Sequence, residues 1–156
     1  MQENKPNLNL SNTRTEEQTK RMQNAQERGL CPFCPEGLIE IHQKEIIHSN
    51  DSWLLTENAF PYEGTEHHFL IVSKKHISSL SELETRDWEL QGEMIQYLIK
   101  EKNIDGGGIF LRFGNMKKNG SSVEHLHIHV ISGDTDEGAP KENRESLRVK
   151  LGYKKI

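Results

Sequence analysis

Only two cysteines, one third of residues hydrophobic and no long apolar run: these shortages set the first limits on this 156-residue chain. Two cysteines cannot build a multi-bridge disulfide framework, so the fold must rest on a core of its own. No stretch offers the roughly 20 consecutive apolar residues that a bilayer-spanning helix needs, so no membrane partner is expected. Residues Met1 to Asn12 are polar and lack the apolar run of a signal peptide, which makes a cytoplasmic location the default expectation. Positive charge is also short. Lys and Arg total 20 against 24 Asp and Glu, a net charge of -4. A general nucleic-acid binder is usually basic, so no nucleic-acid partner is expected. A nucleotide ligand stays open, since phosphates need only a local positive site. Mean hydropathy is -0.79, so the core is small, although the length suits one domain.

Much of the polarity sits at the ends. Residues 1–29 read as a polar leader, loosely docked or disordered over 1–13 and helical over 14–29, with Gly29 as the stop. Residues 30–132 read as the folded domain, and 133–156 as a polar tail with a short strand at Leu147 to Leu151. Within the middle, strands are expected at Leu38 to Ile41, Glu45 to His48, Trp53 to Thr56 and His68 to Ser73. Thr85 is the expected N-cap of a helix over about 86–102. Strands follow at Ile109 to Phe113 and Val123 to Ile131, separated by a polar loop at 115–122. This order predicts an α+β fold with an antiparallel sheet of about five strands and one long helix.

His125, His127 and His129 alternate with Leu126, Ile128 and Val130. On a strand this period places the imidazoles on one face and the apolar side chains on the other. Three imidazoles are a poor packing choice, because each buried ring nitrogen needs a partner. Nucleophilic catalysis and metal binding both want such an arrangement. A neutral imidazole attacks phosphorus, and a carbonyl on its second nitrogen fixes the tautomer.

The run His125-Leu126-His127-Ile128-His129-Val130-Ile131 resembles the signature of the histidine triad family. The segment His68-Phe69-Leu70-Ile71-Val72-Ser73-Lys74-Lys75-His76-Ile77 is similar to the strand and turn before that family's long helix. The resemblance covers roughly residues 31–132. It implies a fold of the histidine triad type, with two subunits joined into one extended sheet as a homodimer. It implies a nucleotide hydrolase or nucleotidyl transferase acting on the α-phosphate of a purine nucleotide, either a dinucleoside polyphosphate or a nucleoside phosphoramidate. His127 would be the nucleophile, forming a nucleotidyl-histidine intermediate, and His129 would bond the phosphate. Ser122 would stand near the leaving group, His68 near the triad and Asn58 at the ribose hydroxyls. Asn115 stands near the place of an asparagine that the family often has before the nucleophile.

Cys31-Pro32-Phe33-Cys34 is a knuckle able to present two thiolates to one metal. Zinc needs two more ligands, and His42, His48, His67, His68, His76 and His125 are all candidates. The resemblance to bacterial histidine triad proteins selects His76 and His125 and implies a structural zinc. A redox pair and two free thiols are the competing readings. Lys74-Lys75 and Lys117-Lys118 flank the motif strands and read better as solvated turns than as a polyphosphate site. Trp88, at helical spacing, reads as core. Two rival functions stand beside the enzyme: a non-catalytic, zinc-stabilised nucleotide-binding or sensor module, and a catalytic metal site on the histidine strand.

Overall fold

The structure, a computed structural model, describes residues 7–134 and 140–156. The expectation of disorder at 1–6 and part of the tail therefore lie outside the described residues. Five strands, β1 (Ile46–Ser49), β2 (Trp53–Glu57), β3 (Thr65–Ser73), β4 (Gly108–Leu111) and β5 (His127–Gly133), form one antiparallel sheet in the order β1-β2-β3-β5-β4. Among the described residues four α-helical segments accompany them: α1 (Glu16–Arg28), α2 (Pro35–Gly37), α3 (Thr85–Glu101) and α4 (Met116–Asn119).

Alternation along the strands divides the sheet into two faces. Trp53, Leu55, Phe69, Ile71, Ile128 and Val130 pack on one side against Leu90, Met94 and Leu98 of α3. The four-residue spacing of those helix positions makes a single apolar stripe. Trp53 also anchors the start of the helix, its Nε1 donating to the Asp87 carbonyl at 2.8 Å. The opposite face carries Leu70 and Val72 and is covered by Met22 and Ala25 of α1, Phe33, Leu38 and Ile41. The histidines lie on this second face, because Leu70 stands opposite His129 and Val72 opposite His127.

Several local expectations need correction. Leu38 to Ile41 is not a strand. Pro35 starts α2, and Leu38–His42 continues it as a wide helical turn that buries Leu38 and Ile41. Thr85 is the first residue of α3 rather than its cap. Glu84 precedes the helix, and the Asp87 carboxylate accepts the Glu84 N–H at 2.9 Å. Trp88 is not core but 44% exposed. The loop at 115–122 contains the single turn α4. Leu147 to Leu151 forms no strand; the Lys150 carbonyl accepts from the Arg112 guanidinium instead. Strand β5 begins only at His127, so His125 lies before it, at a bend.

The leader is better anchored than its composition suggests. The Asn9 N–H donates to the Ser122 carbonyl at 2.9 Å, the Glu124 N–H to the Asn7 carbonyl at 3.0 Å, and Asn12 Nδ2 to the Ser121 carbonyl at 2.8 Å. Thr15 caps α1, and Gly29 ends it with a φ of 67°. This lays the leader across the segment that leads into β5.

The α3 stripe carries much of the stability, since burying one such side chain contributes about 1.5–3 kcal/mol. Replacing the fully buried Leu98 by Ala leaves a cavity against the sheet. The expected loss is about 2–5 kcal/mol, read as a lower denaturant midpoint with an unchanged slope.

Candidate active site

Hydrogen bonds from fixed backbone groups decide where each ring proton sits. His127 Nδ1 lies 2.5 Å from the His125 carbonyl, which can only accept. The proton is therefore on Nδ1, and the Nε2 lone pair is free. His125 Nε2 lies 2.6 Å from the Ser73 carbonyl, so its proton is on Nε2 and the lone pair of Nδ1 is free. The Tyr62 N–H donates to His68 Nδ1 at 3.0 Å, placing the His68 proton on Nε2. That Nε2–H donates to His129 Nδ1 at 2.8 Å, which puts the His129 proton on its own Nε2. His129 Nε2 is buried and has no hydrogen-bond partner among the described residues. A buried donor without a partner is uncommon, and here it belongs to a residue lining a cleft.

Burial keeps these rings neutral. It pushes His127 down to about 4, against a partial upward pull from the His125 carbonyl. Desolvation first, then the neighbouring His127, lowers His129 well below its ordinary value. Desolvation and the Arg14 guanidinium push His68 down to about 3. The rings of His127 and His129 are 5.0 Å apart, and Phe33 lies 4.8 Å from His127.

The cleft above them has a volume of about 520 Å³. Its inner end is apolar, with Met22, Phe33, Ile41 and Leu70. Its rim is built from the leader (Ser11–Thr15), the loop 58–63 and the segment 120–123. Ser122 lies in this lining. Asn58 lines it too; its Oδ1 accepts the Phe60 N–H, while its Nδ2, a donor, lies 2.9 Å from the His68 Nε2–H without bonding it. Asn115 is not brought to the cleft; its side chain caps α4 by accepting the Lys117 N–H at 2.9 Å. Arg14, Tyr62 and Arg112 were not singled out in the sequence, yet they line it. The Tyr62 ring stacks 5.7 Å from His129, and Arg112 Nη1 donates to the Tyr62 hydroxyl at 3.3 Å. A signal for Arg112 was its position two residues after Phe110, on the face that β4 shares with His129.

Beside the cleft, Cys31, Cys34, His76 and His125 present ligand atoms that all lie within 4.8 Å of one another. The Cys34 Sγ to His76 Nδ1 distance is 3.2 Å, Cys31 Sγ to His125 Nδ1 is 3.4 Å, and the two Nδ1 atoms are 3.2 Å apart. His42, by contrast, faces Thr56 Oγ1 at 3.1 Å and takes no part. The knuckle is tight. A Cβ at Gly37 would meet the Cys31 carbonyl oxygen at 1.7 Å, so only glycine fits there. Desolvation pushes the Cys31 thiol up to about 12, so without a cation that thiol is neutral.

Residues 31–145 match the family described as scavenger mRNA decapping enzyme C-term binding. An uncharacterized HIT-like protein of Chlamydia muridarum (strain MoPn / Nigg) is 30% identical over 101 residues, 63% of this chain and 75% of that protein. The chain belongs to the histidine triad family. An adenosine 5'-monophosphoramidase of Danio rerio is 30% identical over 106 residues, covering 65% of this chain and 64% of that protein. Among solved structures, a histidine triad protein from Clostridium difficile superposes with a TM-score of 0.52 at 26% identity, over 70% of this chain and 96% of that one. The expected histidine triad fold is thus confirmed, and members of the family include nucleotide hydrolases. Among the described residues no helix is long and apolar enough to cross a membrane.

The depressed histidines make the site acid-sensitive through the fold. His68, about 3 when folded, and His42, about 4, both start from an ordinary 6.5. Above pH 6.5 neither contributes a penalty. Below it the unfolded chain binds protons that the folded chain refuses until about pH 4 and then about pH 3. Stability should therefore fall as pH drops from 6.5 toward 4. In NMR titrations these two rings should show no shift between pH 7 and pH 5. A midpoint near 6.5 for either ring contradicts the burial argument.

Proposed function

We propose that this chain is a nucleotide hydrolase or nucleotidyl transferase acting at the α-phosphate of a purine nucleotide substrate, a dinucleoside polyphosphate or a nucleoside phosphoramidate. The observation that carries the reading is the bare Nε2 of His127, held so by the His125 carbonyl, beside the unpartnered Nε2–H of His129.

His127 Nε2 attacks the α-phosphorus. A nitrogen–phosphorus bond forms, and the bond from phosphorus to the leaving-group oxygen or nitrogen breaks. The electron pair departs with the leaving group, which takes up a proton; Ser122 stands at the cleft wall where a hydroxyl can meet it. The His129 Nε2–H donates to a phosphate oxygen as charge builds, replacing a missing partner rather than competing with an existing one. Water or another acceptor then attacks phosphorus and releases a proton to solvent, balancing the one the leaving group took up from solvent; the nitrogen–phosphorus bond breaks, and its electron pair returns to His127. The apolar inner end of the cleft suits a nucleobase, and Asn58 at the rim suits ribose. The Asn115 expectation gains no support from the geometry, because that side chain is not among those lining the cleft.

The Cys31, Cys34, His76 and His125 cluster fits zinc. A tetrahedron with bonds of 2.0–2.3 Å to nitrogen and sulfur has edges of about 3.3–3.8 Å. The ligand-atom separations of 3.2, 3.4 and 3.7 Å approach these edges. His125 also points a free lone pair at the group, and its second nitrogen is fixed by the Ser73 carbonyl, as metal-bound histidines require. With four protein ligands the ion supplies a structural tie and no open coordination position. It would hold the knuckle, and with it Phe33, against the segment entering β5.

The homodimer belongs to this reading too. Strand β4 is a sheet edge, and Ile109 on it and Phe113 beyond it are each 56% exposed, apolar surface suited to a second copy.

Purified protein should carry about one zinc per chain, and Cys31→Ser should lower it sharply. Metal contents near zero in the unmodified protein would end the zinc assignment. Mass spectrometry after mixing with diadenosine polyphosphates and adenosine phosphoramidate should find a nucleotidyl adduct on His127. His127→Ala should lose the adduct and about 10³-fold or more in turnover while keeping its circular dichroism spectrum. Full activity in that variant refutes the mechanism. A solution mass of a single chain removes the dimer.

A further inference from the structure

The rim of the cleft carries an unusual charge balance for a chain with a net charge of -4. Arg14, Arg112, Arg148 and Lys150 all line it, against Glu63 as the single carboxylate residue of the lining among the described residues. None of the four cations forms an ion pair with a carboxylate among the described residues. Three of these side chains, those of Arg14, Arg112 and Lys150, are held instead by neutral groups. Arg14 Cζ lies 4.2 Å over the Tyr62 ring, and its Nη2 donates to the Phe60 carbonyl. Arg112 Nη1 donates to the Tyr62 hydroxyl, and its Nε donates to the Lys150 carbonyl. Lys150 Nζ donates to the Tyr153 hydroxyl. Tyr62 therefore stands between two guanidiniums, and its own ring stacks on His129.

Two like charges placed around one aromatic ring are costly unless an anion joins them. Desolvation lowers Arg14, as does the nearby Arg112, while Tyr62 opposes the shift. Both guanidiniums touch Tyr62, whose ring stacks on His129, so they stand near the donor proposed to face the phosphate. Three of the four come from outside the matched segment 31–145: Arg14 from the leader, Arg148 and Lys150 from the tail. The site is thus completed by segments outside the family match.

We propose that Arg14, Arg148 and Lys150 join Arg112 in a cationic collar that binds a phosphate chain continuing beyond the attacked phosphorus. The proposal rests on the reading of His127 as nucleophile and narrows its substrates. The preferred leaving group is a nucleoside polyphosphate or inorganic polyphosphate rather than an amine. Arginine suits this task, since its planar fork meets phosphate oxygens in pairs.

Two measurements test the collar separately from the chemistry. In the first, inorganic tripolyphosphate is titrated into the full chain by calorimetry. Binding should weaken about 10-fold in Arg14→Ala and again in Lys150→Ala, and it should fall steeply with added salt. This readout needs no turnover, so it judges the collar even if His127 proves not to be the nucleophile. No tripolyphosphate binding, or equal binding in all three proteins, overturns the proposal. In the second, kcat/KM is compared for diadenosine tetraphosphate and adenosine phosphoramidate. The ratio should favour the tetraphosphate and drop about 10-fold in Arg14→Ala, while Arg14→Lys should recover part of it. A proportional loss on both substrates would mean that Arg14 only supports the loop 58–63, and would also overturn it.

Discussion

The antiparallel pairing of β3 with β5 is the constraint on which the site depends. It joins residues about 60 positions apart in the chain and sets His68 opposite Ile131, Leu70 opposite His129 and Val72 opposite His127. That register turns His127 and His129 toward the face covered by α1 and the cysteine knuckle. It also brings the Ser73 carbonyl to His125 and the His68 ring to His129. A slip of one residue would send the histidines into the α3 core and the apolar set into the cleft. The hydrophobic packing of Ile71, Ile128 and Val130 against α3 opposes such a slip. The same burial that stabilises the sheet therefore aims the chemistry.

Proton order follows from this register. Backbone groups, which cannot exchange donor and acceptor roles, hold His127, His125 and His68, and the last passes its order to His129. The result is a division of labour among rings of identical type: a bare nitrogen toward the cleft at His127, a bare nitrogen toward two thiols at His125, and an open donor at His129. Burial keeps the interior neutral, which preserves nucleophilicity. The positive charge is displaced to the rim, where it attracts anions without protonating or repelling the groups beneath. The chain as a whole is acidic, so this local field is a product of placement rather than of composition.

Much of this was legible in the chain. The period of two across His125 to Val130 announced two faces, and the Cys-x-x-Cys spacing announced a knuckle. The five strands, the long helix and the helical leader followed from alternation, apolar spacing and Gly29. The errors have local causes. Leu38 to Ile41 alternates like a strand, but Pro35 favours a helical start and burial of Leu38 and Ile41 three apart completes it. Val123 to Ile131 looked like one strand, whereas the bridge at Leu8 and the bend at His125 interrupt it. Asn115 matched by position, yet the N–H groups of α4 claimed its side chain. Arg14 and Arg112 were passed over because a single arginine in a polar segment has no periodicity to mark it.

What the sequence determined by itself was the chemistry available: three alternating imidazoles, two close thiols and an apolar partner for each exposed face. These are properties of spacing along a strand or a turn, and a few residues of local geometry suffice to express them. What only the tertiary structure decided was which nitrogen carries a proton and where the positive charge gathers. Each of those depends on a carbonyl, a ring or a guanidinium brought from far along the chain. Electrostatic and hydrogen-bond partners act over a few ångströms in space, and sequence distance says little about them until β3 and β5 are paired.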